Sequence, residues 1–288
     1  MNEPTVRIVV LIENEAAADN RLEKEHGLSV LVLAHGRRVL FDTGASGAAV
    51  GNALLLGHGD DLARLDAIVL SHGHYDHTGG LAAVLAHRRA ATPVFVRPGF
   101  FRPRLSTRRG AARAIGVPLA SADLEARGAR FVEETSPREI LPGFVLSGEI
   151  PLCEEATAGE PDLWLGPSPD EAVPDAFTDE QAMAVRSPAG LVVLVGCAHR
   201  GIVNSIAAAQ AAAGSETVHL VLGGAHLGWA DSARIAWSVE QVCRRSARAA
   251  LGHCTGAPAL ARFADMGAAF SRLRTGWRWP EEASVDPR

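Results

Sequence analysis

The chain has 288 residues, of which 47% are hydrophobic, so it is long enough to bury a large core. Its net charge of −5 excludes the strongly basic surface that broad nucleic-acid binding needs. No apolar run approaches the roughly 20 residues of a membrane-spanning helix, and "MNEPTVRIVVLIEN" lacks the features of a signal peptide. The four cysteines show no CxxC spacing, which favours a reduced, cytoplasmic protein without disulfides.

The first hundred residues alternate between predicted strands and helices. Residues 5–14 and 28–44 are rich in β-branched side chains and predict strands, the second stretch as a hairpin around His35 and Gly36. The elements expected next are a helix at 45–57, a buried strand that runs into a loop at 65–74, a helix at 79–90 and a strand at 92–98. This alternation favours sheets that are covered by helices.

Residues 98 to about 180 break the pattern and predict an excursion inserted into a single domain of residues 1–288. The stretch 97–113 carries six arginines, which could bind a phosphate or carboxylate or could form a solvated or oligomer-contact face. The stretch 153–180 has nine acidic residues, four prolines and no basic residue. Without basic partners, it is expected to cover the functional site as a long, partly structured loop.

After the excursion the alternation resumes. Strands that run into loops are expected at 190–199, 217–226 and 248–256, and helices at 201–214, 232–247 and 257–267. A histidine with a glycine beside it or shortly before it follows each of four apolar strands, at His72, His199, His226 and His253. The ends of these strands are therefore candidate ligand positions.

The stretch "SHGHYDHTGG" (71–80) concentrates ligand-type side chains directly after an apolar strand. His72 and His74 are two residues apart and can point to the same side of an extended segment, so both can reach one ion. Asp76 and His77 follow a local turn and can face a neighbouring ion. Imidazole and carboxylate ligands suit zinc, iron or manganese, and they have the required protonation states near neutral pH.

The sequence resembles the metallo-β-lactamase superfamily in this motif and in three others. The resemblance is carried by "SHGHYDHTGG", "FDTG" (41–44), "GCAHRG" (196–201) and "LGHCTG" (251–256). Together with "EHGLS" and "GGAHL", these motifs are most similar to a subgroup often labelled ribofuranosylaminobenzene-phosphate synthase-like metal-dependent hydrolases. The resemblance implies an α/β (α+β) fold, arranged as an αββα four-layer sandwich.

The resemblance also implies a ligand set for two divalent metal ions, with zinc expected and iron or manganese as alternatives. His72, His74 and His199 would hold the first ion. Asp76, His77 and His253 would hold the second, and Asp42 would orient a ligand or loop by hydrogen bonding.

One departure from the superfamily concerns the residue after the strand at 217–226. Many hydrolases of the superfamily carry an aspartate there that bridges the two metals, whereas this chain has Ala225 and His226. A neutral imidazole offers one lone pair and cannot take over that role. His226 is therefore expected to bind one metal, to donate a proton, to contact substrate, or only to pack.

Other residues are weaker candidates for the site. Asn20, Glu25 and His26 precede the second strand, and Asp179 and Glu180 precede a later one, so each could lie near the metals. Two cysteines beside the ligand histidines, Cys197 and Cys254, are interpreted as small buried residues.

These features predict a metal-dependent hydrolase that acts with activated water on an ester, lactone, amide or phosphoester. Asp76 would orient the nucleophile or accept its proton, and His226 would protonate the leaving group. The alternatives are an iron-dependent redox or group-transfer enzyme, a synthase-like transferase of the subgroup, and a binding module. The expected partner is a small molecule, anionic if the arginines bind it, with neither nucleic acid nor membrane; an oligomer is left open.

Overall fold

The computed structural model describes residues 6–15, 21–153 and 160–280, and its centre is a pair of seven-stranded sheets. The strands of the first sheet are β1 (Arg7–Ile12), β2 (Ser29–Ala34), β3 (Arg37–Phe41), β4 (Ala67–Val69), β5 (Pro93–Val96), β8 (Arg130–Glu133) and β18 (Arg278–Trp279). Their spatial order is β18-β1-β2-β3-β4-β5-β8, antiparallel from β18 to β3 and parallel from β3 to β8. The predicted hairpin joins β2 and β3, and His35 and Gly36 both adopt the positive φ that its tight turn requires.

The second sheet combines strands from the middle and the end of the described chain. Its strands are β9 (Arg138–Leu141), β10 (Phe144–Leu146), β13 (Met183–Ser187), β14 (Gly190–Val195), β15 (Val218–Gly224), β16 (Ser246–Gly252) and β17 (Phe270–Arg272). Their order is β17-β16-β15-β14-β13-β10-β9, parallel from β14 to β17 and antiparallel from β14 to β9.

Helices cover the outer face of each sheet. Those associated with the first half of the chain are α1 (Ala48–Leu55), α2 (Gly59–Ala63), α3 (Tyr75–Thr78), α4 (Leu81–His87) and α5 (Ser121–Ala126). Those of the second half are α6 (Ile202–Ala213), α7 (Ser232–Arg245) and α8 (Ala257–Phe263), followed by a 3-10 turn at Ala264–Ala269. Among the described residues, no helix is long and apolar enough to cross a membrane.

The two-residue period of the strands builds the four layers. In β2, Val30 lies in the core between the two sheets, whereas its neighbour Leu31 lies in the core beneath the helices. In β14, Val192 lies between the sheets and Val193 packs with α6 and α7 on the other face. Each central strand is thus apolar on both faces, as expected for a sheet buried on both sides. The predicted αββα sandwich is confirmed.

The segment predicted as an excursion, about 98–180, contributes to three sheets. Its middle supplies β8 to the first sheet and β9 and β10 to the second, which the sequence analysis did not anticipate. Its two ends form a separate four-stranded sheet in the order β12-β11-β6-β7. These strands are β6 (Arg104–Ser106), β7 (Arg113–Ala114), β11 (Leu163–Leu165) and β12 (Val173–Pro174). Whether residues 1–288 form a single domain stays a prediction.

The glycines that end the histidine-rich motif allow a close backbone contact. A Cβ on Gly80 would collide with the backbone carbonyl oxygens of Thr43 and Ser46, in the loop that follows β3. Gly80 has an ordinary right-handed backbone conformation, so close packing, and not its φ angle, excludes a side chain. This contact holds the start of α4 against the end of β3.

We expect Gly80→Ala to lower the free energy of unfolding by roughly 1–3 kcal/mol, because the added methyl group overpacks a contact between backbone atoms. The matched control is Gly51→Ala within α1, where a Cβ meets nothing within 4 Å. That variant should gain roughly 0.5–1 kcal/mol, because alanine favours a helix over glycine. Chemical denaturation of both proteins measures the difference, and equal midpoints would contradict the close packing at Gly80.

Candidate metal centre

Strand ends from both sheets deliver the predicted histidines to one place. His72 and His74 follow β4 of the first sheet, while His199, His226 and His253 follow β14, β15 and β16 of the second. All five are buried, with exposed fractions of at most 9%. The backbone turns sharply at several of these ends: Asp42, Ala198, His226 and His253 all have φ between 45° and 57°. Non-glycine residues rarely adopt this conformation, and when they do they often lie at functional sites.

The first histidine group consists of His72, His74 and His199. Nε2 of His72 lies 3.0 Å from Nδ1 of His74, and the His199 ring centroid lies 4.9 and 5.0 Å from theirs. Two nitrogens bound to one tetrahedral zinc at about 2.0–2.1 Å would lie roughly 3.3 Å apart, close to the distance seen. Nε2 of His74 and both ring nitrogens of His199 are buried without a hydrogen-bond partner among the described residues. Burial lowers the pKa of all three imidazoles well below its usual value, so their lone pairs are available.

The second group consists of Asp76, His77 and His253. The Nε2 atoms of His77 and His253 are 3.1 Å apart, and Oδ2 of Asp76 lies 3.9 and 3.5 Å from them, respectively. Burial works against ionisation of Asp76, but the neighbouring imidazoles, His77 first and then His26, hold its pKa well below the usual value. The structure thus brings together all six predicted ligands in two adjacent groups.

Hydrogen bonds to the far side of two imidazoles direct their Nε2 atoms inward. Nδ1 of His77 lies 2.7 Å from Oδ2 of Asp42, and Nδ1 of His253 lies 3.0 Å from Oδ1 of Asn14. The carboxylate of Glu13 accepts the backbone N–H of His253. Sequence reasoning missed Glu13 and Asn14, although both directly follow β1 and so share the strand-end signal of the histidines.

Asp179 and Glu180 orient the ligand loops, and their carboxylates are occupied by backbone groups. The N–H of Gly73 donates to Asp179 at 2.8 Å, and the N–H groups of His199 and Arg200 donate to Glu180 at 2.8 Å. Burial raises the pKa of Asp179 to about 6 and that of Glu180 to about 7. The alternative that they reach a metal is therefore not supported.

Two residues before β2 have different positions: His26 lies at the site, whereas Glu25 supports a neighbouring loop. Nε2 of His26 lies 3.2 Å from Oδ2 of Asp76, and its ring stacks on His253. Glu25 instead accepts the N–H groups of Ala45 and Ser46, at 2.9 and 3.0 Å. Asn20 lies outside the described residues.

The two cysteines near the ligands are buried, as predicted, but their sulfurs also face the site. Sγ of Cys197 lies 3.2 Å from Nε2 of His77, and the thiol of Cys254 donates to the carbonyl of Cys197 at 3.5 Å. Burial raises the pKa of Cys197. For Cys254 the same effect is outweighed by hydrogen bonds from Cys197 and His226, which lower its pKa. The interpretation of both as packing residues is therefore incomplete.

A cavity of about 360 Å³ opens onto both groups. Its wall includes Arg108, Arg109 and Arg113 from the small sheet and its connecting loop, together with Tyr75 and Trp229. The guanidinium of Arg108 lies 3.8 Å above the Trp229 ring, a cation–π contact that holds both side chains at the rim. Tyr75 packs against the apolar cluster below the small sheet, as expected for a residue that lines the site.

The acidic stretch 153–180 finds basic partners in the arginine-rich stretch, so the expectation that it lacks them is wrong. Arg104 is buried between Asp175 at 2.8 Å and Asp179 at 2.5 Å, and Arg108 pairs with Glu160 at 2.9 Å. The arginines consequently divide into buried ones, ones that face the cavity, and Arg102, which is exposed outside it. Residues 154–159 of the expected cover lie outside the described residues.

His226 lies beside the first group and not beside the second. Its ring is 4.2 Å from that of His199, and its Nε2 is 3.1 Å from Oε1 of Glu160. Burial tends to lower the pKa of His226, but Cys254 and Glu160 outweigh it and raise that pKa to about 9. Glu160, His199 and His226 place one ligand atom each within 4.8 Å of one another.

Comparison with known proteins defines the class. The sequence profile of the metallo-beta-lactamase superfamily matches residues 23–161. The chain is 31% identical over 282 residues to the 7,8-dihydropterin-6-methyl-4-(beta-D-ribofuranosyl)-aminobenzene-5'-phosphate synthase of Methanocaldococcus jannaschii, covering 94% of this chain and 95% of the synthase. The chain belongs to the metallo-β-lactamase superfamily and, within it, to the subgroup often labelled ribofuranosylaminobenzene-phosphate synthase-like.

Solved structures agree with this assignment. A crystal structure described as a metal-dependent hydrolase of the beta-lactamase superfamily matches with a TM-score of 0.79 and 30% identity, over 97% of this chain and 100% of that one. Zinc-bound PqqB from Methylobacterium extorquens matches with a TM-score of 0.56 and 12% identity, over 94% and 99% of the two chains. The second likeness shows the fold alone.

We expect Arg104→Met to lower the free energy of unfolding by about 3–5 kcal/mol, because it leaves two buried carboxylates without their cation. Arg37→Met is the matched control, since it breaks a pair with Asp66 in which the arginine side chain is 44% exposed. That change should cost about 0–1 kcal/mol. Denaturant titration of both variants measures the two values; a similar loss in each would contradict the role of Arg104 as a buried support.

Proposed function

We propose that this protein is a metal-dependent hydrolase that acts on a small anionic ester or phosphoester. The observation that carries the proposal is that one cavity brings together exposed arginines and buried imidazole nitrogens that have no hydrogen-bond partner in the described part of the chain. Nitrogens of His74 and His199 lie at its floor, and Arg109 and Arg113 lie in its wall. A polar atom that is buried without a partner is costly, so such atoms indicate a ligand.

The donor set fits two divalent cations. His72, His74 and His199 would hold one of them, and Asp76, His77 and His253 would hold the other. Imidazoles, an ionised carboxylate and a nearby thiol favour zinc, with iron or manganese as alternatives. Burial tends to lower the pKa of His77, but Asp42 and Asp76 raise it to about 9, so a cation would displace a proton from this imidazole. When bound, such cations polarise the substrate and lower the pKa of water to about 7.

Two side chains of the site are suited to proton transfer. Asp76 is ionised and lines the cavity, so it can orient water and accept its proton. His226 lies against the Glu160 carboxylate at 3.1 Å, which stabilises its protonated form. We assign to His226 the protonation of the leaving group, because it also lines the cavity.

The walls of the cavity favour a substrate that combines an anionic group with a flat ring. Arg109 and Arg113 are exposed and supply guanidinium groups, which bind phosphate or carboxylate with paired hydrogen bonds. The Trp229 side chain is 56% exposed, which is unusual for a large aromatic residue, and offers a stacking surface. The name of the 31% identical synthase contains both a ribofuranosyl phosphate and an aminobenzene group, which agrees with this chemistry.

The same likeness supports a second candidate, a group transfer at the same site. That relative is named a synthase, and its name combines a dihydropterin-6-methyl unit with a ribofuranosyl-aminobenzene phosphate. The two candidates differ in the nucleophile: hydrolysis consumes water, whereas transfer requires an organic acceptor. The isotope content of the product therefore distinguishes them.

The function can be tested with a panel of aryl esters, lactones, amides and phosphoesters in ¹⁸O-labelled water, using protein that has been stripped by chelator and reloaded with zinc, manganese or iron. Hydrolysis should incorporate one labelled oxygen into the product and should require the metal. Turnover only in the presence of an added acceptor, without label in the product, would contradict hydrolysis and favour transfer.

We expect His74→Ala to lower turnover by roughly 100-fold or more, since removing even a supporting partner of a metal ligand costs 10–100-fold. The circular dichroism spectrum should be unchanged, because His74 lies in a loop after β4. His87→Ala is the control, since this histidine ends α4 and its Nε2 contacts the carbonyl of Gly59. Metal content should fall only in His74→Ala; full metal content and turnover in that variant would contradict the ligand assignment.

We expect Arg109→Gln to raise KM for a phosphoester about tenfold or more, because a charge-assisted hydrogen bond contributes about 1.5–3 kcal/mol. KM for an uncharged ester of the same alcohol should not change. Arg102→Gln is the control, since Arg102 is exposed and lies outside the cavity wall. An equal rise of KM for both substrates in Arg109→Gln would show that Arg109 does not bind the anionic group.

A further inference from the structure

Cys197 lies within reach of both histidine groups of the candidate centre. It follows β14 and precedes His199, and its side chain is buried with an exposed fraction of 3%. One ligand atom each of His72, Cys197 and His199 lies within 4.8 Å of the others, and the same holds for His77, Cys197 and His253. Among the clusters formed by the described residues, only Cys197 belongs both to one with His72 and to one with His77.

The carboxylates near the centre do not fill this position. Asp76 clusters with His26 and His253 on the side of the second group, and Glu160 clusters with His199 and His226 beside the first. Asp179 and Glu180 accept hydrogen bonds from backbone N–H groups. After β15, where a carboxylate was expected from the resemblance, the chain has Ala225 and His226.

A thiolate has the chemistry that this position requires. An imidazole nitrogen has one lone pair and binds one cation, whereas a thiolate sulfur has three and can bind two. A nitrogen and a sulfur bound to one zinc at about 2.1 and 2.3 Å lie roughly 3.5 Å apart. Sγ of Cys197 and Nε2 of His77 are 3.2 Å apart, so both could bind one ion after little movement.

We propose that Cys197 is a metal ligand and that its thiolate bridges the two cation positions. The proposal rests on the metal binding proposed above, and it goes further by adding a seventh ligand from this chain. The cation displaces the thiol proton, as it does whenever a cysteine becomes a ligand. A sulfur bridge also makes the centre selective for zinc, cobalt, cadmium and iron over magnesium and calcium, which prefer oxygen.

Cys254, the other buried cysteine beside the candidate centre, provides a matched control. It is also buried, and it clusters with Cys197 and His226, but with neither His72 nor His77. Its thiol donates to the backbone carbonyl of Cys197. Removing its sulfur therefore perturbs the surroundings of Cys197 without removing the bridge.

The test is a cobalt titration of chelator-stripped protein without oxygen. All proteins carry Cys153→Ser and Cys243→Ser, because these two thiols are exposed and could bind cobalt on their own. The parent should develop a near-ultraviolet thiolate-to-cobalt charge-transfer band together with the visible bands of the metal. The charge-transfer band should grow through both equivalents of cobalt, because one sulfur contacts both ions.

Cys197→Ala should lose the charge-transfer band, keep the visible bands and bind cobalt at least 10-fold more weakly. Cys254→Ala should keep all of them. Cys197→Ser is included because it preserves size and polarity should the alanine variant fail to fold, and it too should lose the band.

Each other outcome overturns the inference in a distinguishable way. Cobalt binding by the parent without a charge-transfer band would overturn the thiolate ligand and leave the proposed hydrolase intact. Loss of the band in Cys254→Ala alone would assign the ligand to Cys254. A band complete after one equivalent would overturn the bridge, and no cobalt binding at all would overturn the proposed metal site as well.

Discussion

The buried carboxylate of Asp42 is the interaction on which the candidate centre depends. It accepts the backbone N–H and the hydroxyl of Ser71, at 2.7 and 2.8 Å, and lies 2.7 Å from Nδ1 of His77. One side chain thus joins the end of β3 to the end of β4 and sets the orientation of a ligand. A carboxyl group in a fully buried place is tolerable only with such hydrogen-bond partners. Because of them, Nε2 of His77 faces the cluster.

The two-sheet architecture explains why the ligand groups lie side by side. The motif after β4 belongs to the first sheet, whereas His199 and His253 end strands of the second. Only the stacking of the sheets brings these ends to one edge. The positive φ angles of Asp42, His226 and His253 show that the backbone is bent sharply there. The local cost of such conformations, about 1–3 kcal/mol each, is compensated by the cores on both sides of the sheets.

Charge pairing between distant segments builds the cavity above the centre. The arginine-rich and acidic stretches are separated in sequence by the strands β8 to β10, yet Arg104 meets Asp175 and Arg108 meets Glu160. Both pairs lie at the small sheet, in which β6 and β11 are neighbours and whose side chains form one wall of the cavity. Arg109 and Arg113 are left to face the opening, so the same segment supplies both buried ion pairs and exposed guanidinium groups.

The sequence by itself determined the layers and the types of side chain that gather at the candidate centre. Period-two apolar strands, helical segments between them and the local spacing of His72, His74, Asp76 and His77 are short-range features, and they predicted the sandwich and the cluster of ligand-type side chains at its edge. Only the tertiary structure decided what lies between the two groups. From the sequence, Cys197 could not be distinguished from a small buried residue. The residues around a cysteine follow the same pattern whether its sulfur packs against one side chain or lies beside two histidine groups. That difference depends on contacts between residues 120 positions apart, which no local pattern encodes.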